Sequence, residues 1–404
     1  MITSQKKILK LAYLLLLSSF CLPVCIFGQS AGRSDKIPDW KDLSHYFKPP
    51  AEYEGKTGDY RSPLLFSDGR VVRNAKEWKI RRKEILSYWT EKMGAWPAYI
   101  RKQKIEYLDT LVRDEGLTQY IIRFSWLPGQ KTNAYLLVPD IPGRKPAVIT
   151  VFYEPETAAG IGGKEYRDFA YQLARRGFIT LSIGTTETTN SKTYSLYYPG
   201  VNSSSIQPLS VLAYAAANSW FLLSRFPEAD PDRIGIMGHS YGGKWAMFAS
   251  CMFDKFACAV WSDPGIVFDE TRPNVNYWEP WYLGYYPPPW SNTWRKEGLV
   301  ENARGVYPDL IKENHDLHEL HALMAPRPFL VSGGSEDTPK RWLPLNHSVA
   351  VNSLLGYENR VAMTNRPDHS PNAESNEQIY KFFEYYLIKP GERLRKSKPG
   401  IQRK

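Results

Sequence analysis

The stretch IGIMGHSYGGKW, residues 234–245, sets one serine between two glycines, with an apolar run before it and a helix-compatible run after it. A serine hydroxyl is a poor nucleophile at neutral pH. It needs a neighbouring base, exposure, and donors for the oxyanion it creates. A sharp turn from strand to helix supplies the exposure, and the next backbone N–H can face the anion. Such a turn is crowded, so small residues must flank it. Gly238 and Gly242 do this around Ser240. The spacing predicts a nucleophilic Ser240, with the N–H of Tyr241 donating to the oxyanion.

Outward from this turn, strand and helix patterns alternate. TQYIIRFSW and TNAYLLVPD, separated by LPGQK, predict a hairpin, and KPAVITVFYE reads as a strand buried on both faces. Helix YRDFAYQLARRG, strand FITLSIG and helix LSVLAYAAANSWFLLSRF lead into the serine strand. FACAVWSD, PRPFLVSGG and NRVAMTNR follow as strands, and NEQIYKFFEYYLI as the last helix. The expected fold is α/β, a mostly parallel central sheet with helices on both faces. The domain spans residues 105–388, with an insertion at about 264–322. Residues 29–104 form a lead-in packing on it, whose convincing helix is AKEWKIRRKEILSYWTEKMG.

The nucleophile's partners are sought in loops that end strands at one sheet edge. PRPFLVSGGSEDTPKRW presents Asp337 with Glu336 beside it, and VAMTNRPDHSPN presents His369, one of seven histidines. The order serine, acid, histidine is that of α/β-hydrolases. His369 is expected as general base and then acid, and Asp337 as the carboxylate orienting it. Glu336, and Asp263 at the end of AVWSD, are the competing acids. The second oxyanion donor belongs in the loop after AVITVFYEP, with Glu154 as the candidate.

The ends of the chain carry a different signal. Lys6, Lys7 and Lys10 precede the apolar LAYLLLLSSFCLPVCIFG, which reads as a signal peptide, residues 1–28, and predicts a secreted or periplasmic protein with no stable membrane insertion. The formal charge of +10 sits mostly in that segment and in a basic tail, residues 389–404, read as disordered. The body is nearly neutral, so no nucleic-acid groove follows. Beyond the signal, Cys251 and Cys258 remain, either paired or buried as free thiols.

GHSYGGKW, the acid loop and the terminal histidine resemble the α/β-hydrolase superfamily. EWKIRRKEILSYW, DLHELHALMAPRPFLVSGGSED and RPDHSPN are similar to secreted bacterial carbohydrate esterases of the acetyl xylan and glucuronoyl esterase type. The resemblance covers most of the chain from about residue 75 onward. It implies ester hydrolysis on plant or algal polysaccharide through an acyl-enzyme, without a cofactor, and makes Lys244 a candidate sugar ligand. Those glucuronoyl esterases carry arginine directly after the nucleophile, whereas Tyr241 stands here. Acetyl and glucuronoyl esters are therefore both open.

NYWEPWYLGYYPPPWSNTW, residues 276–294, offers aromatic planes suited to sugar rings. Trp281 within it and Trp342 beyond it are candidate substrate contacts. His315, His318 and His321 stand three apart, but HELH lacks the zinc spacing H-E-x-x-H, so no metal is expected. Two other readings compete. One is a prolyl-oligopeptidase-like serine peptidase, although only about 75 residues between the signal and the hydrolase domain are too few for a propeller. The other is a non-catalytic carbohydrate-binding protein on the same scaffold.

Overall fold

The computed structural model describes residues 37–388, apart from 114–115, 191–193, 202, 270, 273–274, 278–281 and 284–304. Its strands are β1 (Glu106–Arg113), β2 (Leu117–Leu127), β3 (Gln130–Pro139), β4 (Lys145–Phe152), β5 (Ile179–Gly184), β6 (Ala229–His239), β7 (Ala259–Ser262), β8 (Phe329–Gly333) and β9 (Val361–Asn365). They form one sheet in the order β1-β2-β3-β5-β4-β6-β7-β8-β9. The pairings β1–β2, β2–β3 and β3–β5 are antiparallel, and the others are parallel. The expected hairpin is β2–β3. β1 was not anticipated, because EYLDTLVR has no buried face: seven of its eight residues are exposed.

The helices are α1 (Trp40–Leu43), α2 (Ala75–Met93), α3 (Pro155–Ala158), α4 (Phe169–Arg175), α5 (Thr186–Asn190), α6 (Pro208–Ser224), α7 (Tyr241–Met252), α8 (Val306–Lys312), α9 (His318–Ala322), α10 (Trp342–Leu354) and α11 (Ala373–Phe383). No helix among the described residues is long and apolar enough to cross a membrane.

Neighbouring residues of the central strands feed two separate cores. Ile149, Ile236, Trp261, Val331 and Met363 join α2, α6 and α7 on one face. Val148, Met237, Val260, Leu330 and Ala362 join α1, α4 and α11 on the other. This period-two division of strands buried on both faces is why they read as nearly continuous hydrophobic runs. The architecture is the α/β-hydrolase fold expected from the sequence.

The lead-in helix α2 shares the first core. Trp78, Ile85, Trp89 and Met93 are buried along it at helical spacing. Asn74 caps its start by accepting from the N–H groups of Lys76 and Glu77. It ends at Gly94, whose φ is 88° and where a Cβ would stand 2.7 Å from the Ser205 carbonyl. Across the interface the indole of Trp89 donates to Glu319 at 3.3 Å, and Arg82 donates to the Leu323 carbonyl at 3.1 Å.

β4 lies between β5, which follows it in sequence, and β6, so chain progression reverses around it. Such a switch point opens a crevice at the carboxyl ends of the strands. The serine follows β6 at that edge.

Candidate active site

Ser240 occupies the turn from β6 into α7 with φ 56° and ψ −117°, a conformation that side-chain-bearing residues rarely adopt. Its N–H donates to the Ser262 carbonyl at 2.8 Å, which ties the turn to the end of β7. The glycines are required by contact. A Cβ at Gly238 would lie 2.1 Å from the Gly242 carbonyl oxygen, and one at Gly242 would lie 1.9 Å from that of Val151. The steric reason read from GHSYG is therefore met on both sides of the serine.

His369, in the loop after β9, reaches the serine: its Nε2 lies 2.9 Å from Ser240 Oγ. Its side chain is 38% exposed, so the junction faces solvent and a substrate can approach. Nδ1 lies 2.7 Å from Oδ2 of Asp263, not of Asp337. The expected first choice of acid is thus corrected, and the competing residue takes its place. Asp263 follows β7 directly, is fully buried, and has φ 49°. Its Oδ1 accepts from the N–H groups of Gly334 (2.6 Å) and Asp337 (2.8 Å), and Glu336 N–H lies 3.2 Å away.

Asp337 has the reciprocal role. Fully buried, it accepts from the N–H groups of Gly265 at 2.8 Å and Ile266 at 2.7 Å. The loop after β7 thus supplies a carboxylate to the loop after β8, and the loop after β8 returns one. Burial, and then the nearby Asp263 charge, push the Asp337 carboxyl up to about 6. Glu336 is ion-paired with Arg272 and does not meet the histidine.

Two further residues support the imidazole and were not singled out in the sequence. Buried Arg366 donates to the His369 carbonyl at 2.6 Å, the Ser370 carbonyl at 2.9 Å and the Ser332 carbonyl at 2.9 Å, fastening the histidine loop to β8. His239 is buried, its ring centroid 4.8 Å from that of His369, and its Nδ1 lies 3.2 Å from Ser262 Oγ. Burial, then the positive neighbours, hold its pKa well below the usual imidazole value, so it stays neutral beside the His369 ring. An arginine three residues before a terminal-loop histidine, and a histidine directly before Ser240, were the available signals.

Tyr241 opens α7, where first-turn N–H groups lack intrahelical acceptors. Its ring stacks on Tyr153 at 4.1 Å and 5°, which holds the loop after β4 against the Ser240 turn. Glu154 lies in that loop, just before α3, and its carboxylate pairs with Lys164 at 3.0 Å.

The sugar-contact candidates fare differently. Lys244 is 7% exposed; its ammonium donates to the Pro264 carbonyl and lies 4.6 Å from the Tyr277 ring centroid. It braces the loop carrying Asp263 rather than facing solvent, because one helical turn on from Ser240 the side chain runs under that loop. Trp342, 2% exposed, belongs to the core as the first residue of α10. Trp281 and most of the aromatic run lie outside the described residues. Of that run, Tyr277 and Tyr282 are described, and both are buried.

Among the described residues no cluster of metal-ligating side chains occurs. His315 and His318 instead grip the lead-in: His318 Nε2 lies 2.6 Å from the Arg61 carbonyl and His315 Nε2 lies 3.4 Å from the Arg61 guanidinium. His321 is buried beside Trp261. Cys251 and Cys258 are both buried and free, and burial pushes the Cys251 thiol up to about 12.

A sequence profile of the prolyl oligopeptidase family matches residues 215–351. No curated protein matches the chain in sequence. Solved structures share the fold. The glucuronoyl esterase from Solibacter usitatus is 18% identical, with a TM-score of 0.62, over 83% of this chain and 98% of that one. A putative acetyl xylan esterase from Bacteroides fragilis is 17% identical, TM-score 0.52, over 83% and 86%. A mutant glucuronoyl esterase from Sporotrichum thermophile, in complex with methyl 4-O-methyl-β-D-glucopyranuronate, is 14% identical, TM-score 0.52, over 88% and 92%.

Proposed function

We propose that this protein is a secreted serine esterase that removes acetyl or glucuronoyl-type ester substituents from plant or algal polysaccharide. The observation that carries this reading is the relay from Ser240 Oγ through His369 to buried Asp263, at 2.9 and 2.7 Å. The fold neighbours named for esterases of uronate and acetylated sugars support the substrate class.

In this reading Ser240 Oγ attacks the ester carbonyl while His369 Nε2 takes its proton. Asp263 accepts from Nδ1–H, which fixes the tautomer and steadies the imidazolium. The N–H of Tyr241, with a donor from the loop around Glu154, receives the oxyanion; each such donor contributes about 10²–10³ in rate. Collapse breaks the ester C–O bond, and the departing alcohol takes the proton from His369. Water then repeats the sequence in reverse, giving the acid and free serine. No cofactor has a step in this chemistry.

The prolyl oligopeptidase profile favours one rival, a peptidase using the same relay. A substrate panel separates them: acetylated xylan, a methyl glucuronate ester, and a proline-containing peptide. The expected result is sugar-ester turnover that falls by about 10⁴ or more in Ser240→Ala. Cleavage of the peptide alone would replace the esterase with the peptidase. Glycan binding without turnover of any ester would leave a binding protein.

A further inference from the structure

The central sheet ends differently at its two edges. At one end β9 has four of its five residues buried, and its Ala362 shares a core cluster with Leu43 and Tyr46 of the lead-in. At the other end β1 pairs with β2 on one side, and no strand among the described residues lies beyond it. A free strand edge presents a row of backbone N–H and C=O groups that another strand can answer.

This edge is also apolar. Of the nine large hydrophobic side chains exposed among the described residues, four stand on β1: Tyr107, Leu108, Leu111 (54%) and Val112 (76%). Grouped on one element, they make a patch rather than a scatter. The pairing with β2 is irregular between Tyr107 and Asp109, which leaves residues 109–113 as a straight run. Within it Asp109, Leu111 and Arg113 share one face of the sheet, and Thr110 and Val112 the other.

Neither charge in this run meets its opposite among the described residues. Asp109 Oδ1 accepts from the Thr110 N–H at 2.8 Å. Arg113 Nη1 donates to two uncharged acceptors, Gln119 Oε1 at 3.0 Å and the Ala159 carbonyl at 2.7 Å.

A two-fold axis that pairs a strand edge with its own copy stands perpendicular to the sheet. It therefore keeps the faces in register and passes through a residue position. At Thr110 the axis would set Asp109 against a leucine, and at Val112 it would do the same to Arg113. At Leu111 it sets Asp109 against Arg113 of the partner subunit, twice over by symmetry, with leucine against leucine between the two pairs. Val112 then lies across from Thr110 of the partner subunit. One register answers both charges and covers the apolar centre of the strand.

We propose that β1 is a homodimer interface, at which two copies of the chain pair edge to edge, antiparallel, about Leu111. The charges act as a key. An unrelated strand leaves the carboxylate and the guanidinium unmatched, whereas a second copy offers the same two in reverse order. Each copy uses up its open edge and has its other edge buried, so the pairing closes at two. Nothing in this pairing depends on the chemistry at Ser240.

The test uses the exported chain, without residues 1–28 and the two cysteines they carry. Sedimentation from about 1 to 100 µM is expected to show a monomer–dimer equilibrium. Asp109→Lys sets Lys against Arg, and Arg113→Glu sets Asp against Glu, so each variant alone should dimerise at least about tenfold more weakly. Mixed together, the two single variants restore both opposite-charge pairs and should form a heterodimer. That recovery also shows both variants to be folded. Under mild oxidation Leu111→Cys is expected to link to its own copy, since Cys251 and Cys258 are buried. Tyr107→Cys, about 25 Å from its copy at the rise of a strand, is not.

A chain that stays monomeric at every concentration overturns the proposal. So does a dimer that both single variants form as well as the parent, or a mixture of the two that gives no heterodimer. Leu111→Cys that links no faster than Tyr107→Cys overturns the register, and growth beyond two copies overturns the closure.

Discussion

Two buried aspartates stand within one network, and their different partners separate their roles. Asp263 touches the imidazole, whereas Asp337 touches the backbone of the neighbouring loop. Asp263→Asn should therefore lower kcat by about 10³–10⁴, since an amide fixes the wrong tautomer. Asp337→Asn should lower kcat less than about tenfold and cost about 1–3 kcal/mol of stability by weakening the acceptance from Gly265 and Ile266. Equal kinetic losses would mean that both carboxylates serve the histidine. Sequence could offer both residues but not choose between them, because each follows a strand of the same sheet. The choice is made by the conformation at Asp263 and by the approach of Gly334, where a Cβ would sit 2.7 Å from Asp263 Oδ2. Burial also pushes the Asp316 carboxyl up to about 7. The folded chain then holds that proton more tightly than the unfolded one. Its stabilising effect is full below about pH 4 and is lost as pH rises through about 7. Asp316→Asn keeps an acceptor for the N–H groups of Phe268 and Leu317 and should raise the melting temperature at about pH 8, with little change at about pH 4. An unchanged profile would mean that this carboxyl ionises normally in the folded chain.

At the scale of elements, the turn from β6 to α7 was the most legible part of the chain. Its steric demands act on single residues and are met by glycine alone. Gly242→Ala should cost about 3 kcal/mol or more, since its Cβ would enter the Val151 carbonyl of β4, and thermal unfolding would record the loss. A stable variant with a normal turn would mean that β4 can retreat. Buried strands were legible too, because β4 to β9 carry mostly apolar residues toward both faces of the sheet. β1 was not, since an exposed edge strand lacks the hydrophobic pattern that identifies its neighbours. Lys244 and Trp342 are buried for a reason the sequence does not carry: residue type and spacing place a side chain on a helix, but neighbouring loops decide whether it meets solvent. Arg366 escaped notice because its task, tying two carbonyls of the histidine loop to one of β8, exists only in three dimensions.

Taken as a whole molecule, the lead-in is part of the core and not an appendage. Trp89 is fully buried under α9 and donates to Glu319, and Lys92 and Tyr88 both meet Glu313. Trp89→Ala should destabilise by about 3–5 kcal/mol. A chain beginning after Gly94 should be recovered unfolded, judged by the loss of near-ultraviolet circular dichroism. A soluble, folded and active truncation would show that the hydrolase core stands without it. The sequence revealed this helix by its tryptophan and isoleucine spacing, but it could not show what the helix packed against, since contacts over two hundred residues leave no local trace.

The alternation of the central strands between two cores has a consequence for the chain's tolerance to change. Each strand works as a phase marker: shift it by one position and every side chain trades compartments. The same slip would turn the terminal residues of β6 and β7 away from the rim on which Ser240 and Asp263 meet. A one-residue insertion or deletion inside these strands is then an all-or-nothing event, whereas the loops beyond their ends can change length while leaving the phase intact.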